Sequence, residues 1–133
     1  MIVSIGVDLV NIGRFAGIVK ANPALVRRIF TPEEQGLALP SLAARFAAKE
    51  AVAKALGAPA GLVWKDCSIS RDQQGAPHIQ TYGTVARRAA ELKINRWHLS
   101  ISHDEPMAIA QVIAEHLNQE ELALLDSQPS SKQ

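Results

Sequence analysis

Ala44-Arg45-Phe46-Ala47-Ala48-Lys49-Glu50-Ala51-Val52-Ala53-Lys54-Ala55-Leu56-Gly57 is the stretch from which the fold is read. Alanine, leucine, lysine, glutamate and arginine are strong helix formers, and Gly57 followed by Pro59 is a stop signal. At about 100° per residue, Leu42, Phe46, Val52, Ala53 and Leu56 form one apolar stripe, and alanines cover most of the remaining circumference. A helix that is apolar nearly all round is buried. Yet Arg45 and Lys49 project from the stripe itself, and Glu50 and Lys54 lie together beside it. Buried charge is costly unless paired or bound. The helix therefore either carries internal ion pairs or lines a site.

Strand patterns lie on both sides of this helix. Residues 2–10 alternate, with Val3, Ile5, Val7 and Leu9 on one face, expected to be the buried one, and Ser4, Gly6, Asp8 and Val10 on the other. Asp8 is either a turn or cap residue where the strand passes into a helix near Asn11, or a carboxylate aimed at a site, with Gly6 permitting close backbone approach. Short helices are expected over 12–21 and after Asn22-Pro23. Thr31-Pro32-Glu33-Glu34 has the form of a capping box, which accounts for Glu34 structurally. Beyond Gly57–Gly61, the strands Cys67–Arg71 and His78–Thr81 flank a hairpin turn at Asp72–Gly75, and a helix follows over Gly83–Ile94. Trp97–His103 alternates again, and Met107–Ile113 is its expected antiparallel partner. Asn118 with Glu121 can cap a final helix, and Ser127–Gln133 is a polar tail expected to be disordered. The expected fold class is α+β: a single domain with a mainly antiparallel sheet packed against a long Ala-rich helix.

Composition narrows the function classes. The chain has 133 residues, 47% hydrophobic, 20% charged and only 5% aromatic, as expected for one domain with an aliphatic core. No run approaches the roughly 20 apolar residues that cross a bilayer, and no signal-peptide pattern is present. One cysteine, Cys67, excludes an intrachain disulfide framework, and a cytoplasmic, non-membrane protein is expected. The net charge is +1 but unevenly placed. No acid lies between Asp8 and Glu33, where Arg14, Lys20, Arg27 and Arg28 are found. No lysine or arginine lies from Trp97 to Ser131. These are either solvated faces or, for the basic segment, a docking surface for an acidic partner. Near-neutral charge without aromatic interleaving argues against nucleic acid.

No phosphate-binding loop, dinucleotide fingerprint, zinc spacing or nucleophile elbow occurs. Asp8 and Glu50, two carboxylates from separate elements, suit a hard oxygen-ligated cation, with magnesium the best fit. Lys49 and Lys54 suit phosphate charge, and together these groups suggest metal-assisted phosphoryl chemistry. The plainer alternatives are an i,i+4 pair between Glu50 and Lys54, worth about 0.2–0.5 kcal/mol, and a strand-end histidine at His103.

Ile5-Gly6-Val7-Asp8-Leu9-Val10 followed by Arg14, then Phe30-Thr31-Pro32-Glu33-Glu34, Arg45-Phe46-Ala47-Ala48-Lys49-Glu50-Ala51 and Ser100-Ile101-Ser102-His103, in that order, resembles the 4′-phosphopantetheinyl transferases. More closely, the chain is similar to the short bacterial holo-[acyl-carrier-protein] synthases over residues 1 to about 115. The resemblance implies transfer of 4′-phosphopantetheine from coenzyme A to a serine of apo acyl carrier protein, releasing adenosine 3′,5′-bisphosphate. It implies Asp8 and Glu50 as magnesium ligands, and Lys49, Lys54 and Arg45 near the coenzyme A phosphates. Glu50 and Lys54 become the catalytic pair, and His103 meets coenzyme A. Arg14 falls in the carrier-docking helix, and Arg27 and Arg28 belong to the same acid-free basic segment. The family's short members form homotrimers. Residues 1–116 are then the transferase domain and 117–133 an acidic extension outside the family pattern. A non-catalytic coenzyme A or nucleotide-binding module of the same fold is the alternative.

Overall fold

The computed structural model describes residues 1–128. Strand β1 (Ile2–Asn11) leads into α1 (Ile12–Ala21), α2 (Ala24–Ile29), α3 (Pro32–Gln35) and the long helix α4 (Leu39–Ala55). A 3-10 turn (Trp64–Asp66) opens the hairpin β2 (Cys67–Arg71) and β3 (Pro77–Thr81). The chain then continues through α5 (Gly83–Glu91), β4 (Arg96–Asp104), β5 (Met107–Glu115) and α6 (Gln119–Asp126). The tail for which disorder was expected falls, from residue 129 on, outside the described residues.

β1, β5 and β4 form an antiparallel sheet in that order, and α4 lies across β1 and β5. Small side chains bring the two layers together. Ala47, Ala48 and Ala51 of α4 and Ala108, Ala110 and Ala114 of β5 are wholly buried. Gly6 sits where a Cβ would stand 1.9 Å from the Ala51 carbonyl oxygen. The Ser4 hydroxyl donates to the Ala55 carbonyl at 2.6 Å, pinning the end of α4 to the same strand.

This close approach turns β1 over relative to the sequence expectation. Ser4, Gly6, Asp8 and Val10 face the helix, whereas Ile5, Val7 and Leu9 point outward, 57%, 48% and 61% exposed. The physical reason is that the helix-facing side has no room for large side chains, so its residues are small or sit at the end of the strand. Apolar alternation marks a dry face without saying what dries it. The pairs Ile5–Ile113, Val7–Gln111 and Leu9–Ile109 extend the outward face onto β5.

Helix starts follow their capping chemistry. The Asn11 side chain accepts from the Arg14 amide at 2.9 Å, and Asn118 from Glu121 at 2.8 Å. Asn22 and Pro23 read as cap and first helical residue, but helix α2 begins at Ala24 with Pro23 as its cap. The start of α5 is served from a distance: Asp66, in the 3-10 turn, accepts from the Thr84 amide and hydroxyl at 2.8 and 2.7 Å.

Candidate active site

Asp8 is brought to Glu50 and Lys54 by the Gly6–Ala51 contact. Two residues beyond Gly6, β1 presents the Asp8 carboxylate on the helix side, where α4 offers Glu50 immediately before Ala51 and Lys54 one turn later. The Lys54 Nζ donates to Asp8 Oδ1 at 2.8 Å and to the Val7 carbonyl at 3.0 Å. The Asp8 hydrogen bond is the main influence raising the Lys54 pKa, against partial desolvation. Burial, and then the Asp8 charge, push the Glu50 carboxyl up, and Lys54 opposes them. A carboxylate pushed up by burial and by the charge of a second carboxylate beside it makes a ready site for a hard divalent cation. No group of three or more His, Cys, Asp or Glu side chains suited to a metal occurs among the described residues. A cation here would thus take two protein carboxylates and fill its shell with substrate oxygens and water, the usual arrangement for magnesium.

His103 shares the helix-facing side of the sheet with Asp8. In register, Asp8 lies opposite Ala110, which pairs with Ile101, and His103 pairs with Ala108. Strand spacing and rise put the two residues roughly 12 Å apart along the sheet. The exposed His103 therefore lies too far from Asp8 to ligate the same ion.

Lys49 and Arg45 are not brought to this cluster. The Lys49 side chain, 1% exposed, pairs with Glu34 Oε1 at 2.8 Å, donates to the Cys67 carbonyl and to that of Trp64, and lies 5.5 Å from the centre of the Phe30 ring. Glu34 in turn accepts from the Thr31 amide at 2.9 Å and, through its other oxygen, from the Ile69 amide at 3.0 Å. The internal-ion-pair alternative thus describes the Lys49 ammonium, although the residue also borders the cavity beside Glu50. Arg45, also buried, donates from Nε to the Ile69 carbonyl at 3.2 Å. It borders a separate groove of about 550 Å³ that also carries Arg71 and Tyr82. Desolvation lowers its pKa, Glu34 opposes this, and Arg71 adds to it.

Two features were not legible beforehand. A cavity of about 240 Å³ opens beside Glu50, walled by Ala53, Pro59, Leu62, Trp64 and Val85. Its wall comes largely from the loop after α4, whose turn-rich sequence gave no sign of it. The second is an apolar groove of about 330 Å³ between Phe15, Ile18, Val19, Leu25 and Phe46, with Arg28 on its margin. Arg14, Lys20, Arg27 and Arg28 are all exposed on α1 and α2, the two helices that contribute to it. Phe46, read as part of the apolar stripe, packs half-buried against the core, stacked on Phe15 at 5.3 Å and beside Trp64 at 5.4 Å.

Known proteins carry the same pattern. The family model described as ACPS, 4′-phosphopantetheinyl transferase superfamily, matches residues 4–112. Holo-[acyl-carrier-protein] synthase of Kocuria rhizophila is 55% identical over 115 residues, covering 86% of this chain and 94% of that protein. The enzyme of the same name from an Arthrobacter species is 56% identical over 115 residues, covering 86% and 99%. The crystal structure of the Neisseria meningitidis holo-[acyl-carrier-protein] synthase superposes with a TM-score of 0.79 at 35% identity, covering 86% of this chain and 99% of that one. The Helicobacter pylori synthase, solved in complex with coenzyme A, gives 0.74 at 33% identity, covering 84% and 99%. Sequence, fold and the order of the site-bearing elements agree, and the chain belongs to the ACPS family of the 4′-phosphopantetheinyl transferase superfamily.

Proposed function

We propose that this chain transfers 4′-phosphopantetheine from coenzyme A to a serine of apo acyl carrier protein, giving holo-carrier and adenosine 3′,5′-bisphosphate. The observation that carries the assignment to particular residues is the Asp8–Glu50 carboxylate pair with Lys54 beside it, in a chain of this family. The serine oxygen forms a bond to the phosphorus nearest the pantetheine, and the bond from that phosphorus to the bridging oxygen breaks. The serine proton passes to a base, and the electron pair leaves on the nucleotide phosphate. The nucleophile belongs to the partner, which is why none stands out here.

A divalent cation, magnesium in this reading, would be held by Asp8 and Glu50 and would supply charge neutralisation at the pyrophosphate. Lys54 exchanges its Asp8 contact for a phosphate oxygen and stabilises charge on the leaving group. Glu50, or a water on the cation, would take the serine proton. His103 positions the far part of coenzyme A. Arg14, Arg27 and Arg28 hold the acidic carrier at the apolar groove between α1 and α2. Residues 1–116 are the transferase unit in this reading, and a cytoplasmic setting goes with its substrates. No helix among the described residues is long and apolar enough to cross a membrane.

The outward face of the sheet supports a homotrimer. Ile5, Val7, Leu9 and Ile109 form an uncovered apolar surface, the kind that marks association.

The test is to incubate the chain with coenzyme A, magnesium and apo carrier protein and to follow the carrier by mass spectrometry. Gain of the phosphopantetheine mass is expected. No gain with any carrier domain tried would overturn the proposal.

A further inference from the structure

Helix α6 carries three acids, Glu120, Glu121 and Asp126, and no base. Glu120 and Glu121 suit the first turn, but Asp126 stands in the last turn, where the helix dipole disfavours a negative charge. The helix buries none of its eight residues, and Leu124 is 66% exposed. A helix this short is marginal in water without a surface to pack on. The match to the family ends at residue 112, before α6 begins. An acidic helix with Leu124 exposed, and Leu122 and Leu125 half-buried, lies at one end of a chain whose other end carries an apolar groove with exposed Arg28 on its margin.

We propose that α6 of one copy docks in the α1–α2 groove of a second copy, with Leu124 against Ile18, Val19 and Leu25 and its acids against Arg14, Lys20 and Arg28, so that it competes with the carrier. The competitive part rests on the groove being the carrier's docking face. The chemistry is that of an amphipathic helix in an apolar groove, with opposite charges setting its orientation. A second copy is required because the two surfaces lie at opposite ends of one chain. Asn95 and Leu117 exchange two hydrogen bonds of 2.8 Å, tying the start of α6 to the beginning of β4. Helix α1 starts at the far end of the sheet, where Asn11 pairs with Met107. Strand β5 separates these ends by about 27 Å, and α6 is only about 12 Å long.

The test uses full-length chains. Leu124→Cys and Ile18→Cys are made singly, mixed in equal amounts and mildly oxidised at low salt. Cys67 does not compete, being buried with its thiol pushed up to about 12 by desolvation. A disulfide-linked heterodimer is expected, and it is expected to be lost at about 0.5 M salt, where screening is nearly complete within a few ångströms. It should also be lost when Glu120→Gln, Glu121→Gln and Asp126→Asn are added to Leu124→Cys. No heterodimer at low salt, or one indifferent to both salt and neutralisation, overturns docking. In the otherwise unaltered chain, neutralising the three acids should lower KM for apo carrier about threefold or more with kcat unchanged. An unchanged KM overturns the competition. Failure to modify any carrier would instead count against the transferase reading, while the cross-link still decides docking.

Discussion

Glu50 is held where function and stability oppose one another. Its folded pKa lies above the ordinary carboxylate value because burial and Asp8 disfavour its charge. A raised carboxyl pKa favours the folded state only while the group is protonated. That contribution is fully present below the unfolded pKa and is lost as pH rises through the folded one. At pH 7 the ionised carboxylate is therefore a burden on the apo chain. Glu50→Gln is expected to raise the midpoint of thermal unfolding at pH 7 in the absence of metal. The gain should narrow as pH falls through the carboxylate range, followed by circular dichroism from pH 7 to 4. The same variant should lose turnover by about 10²–10⁴-fold, the range for removing a positioned acid–base group. Lys49 makes the contrast. It carries charge of the kind the site uses but sits inside, paired with Glu34. Lys49→Met leaves the Glu34 carboxylate buried without its cation and should cost about 3–5 kcal/mol in urea unfolding. The sequence showed that Lys49 needed a partner. It did not name Glu34, because the pairing joins two helices through tertiary packing and Glu34 already had a sufficient local role at Thr31. Asp8 and Lys54 were legible as candidates, but their 2.8 Å contact depends on how closely α4 approaches β1.

The helix–sheet contact sets that approach. Gly6→Ala places a methyl against the backbone of α4, and overpacking of this kind costs about 1–3 kcal/mol. The larger expected effect is on activity. Displacing α4 by about 1 Å moves Glu50 relative to Asp8 and should cost roughly 10²-fold in kcat at saturating substrate. A chain that keeps full activity with alanine at this position would show that the spacing does not control the site. Most elements were readable from propensity and caps: β1, α4, the β2–β3 hairpin, and β4 turning into β5. The inward face of β1 was not. Alternation distinguishes two faces, and the larger apolar side chains were assigned to the core. The core here is an alanine-lined contact that excludes them. The 3-10 turn and its Asp66 cap on α5 were missed for a related reason, since the capping carboxylate comes from outside the helix it serves.

At the scale of the whole molecule, the charge pattern and the uncovered sheet face describe how the chain meets others. Leu9→Glu puts a charge in the middle of the outward apolar face. It should convert the proposed homotrimer to single chains in sedimentation equilibrium, while far-UV circular dichroism of the separated chain stays native. An unchanged mass would mean that the face is not the interface. Arg14→Glu, on the exposed surface of α1, should raise KM for carrier about tenfold or more and leave kcat within about twofold, because it acts on encounter and docking and not on the phosphoryl step. The effect should shrink as ionic strength rises. The exposed basic character of α1 and α2 was legible from their lack of acids. The groove that gives them an apolar floor was not, because Phe15, Phe46 and Trp64 come from three separated elements.

The Gly6 contact has a consequence for how this chain tolerates change. The atom that a side chain would strike is the carbonyl oxygen of Ala51, part of the backbone and the same whatever residue occupies position 51. No second substitution at that position can make room. If both positions are randomised together and active chains are selected, position 51 should return several small residues, while position 6 returns glycine alone.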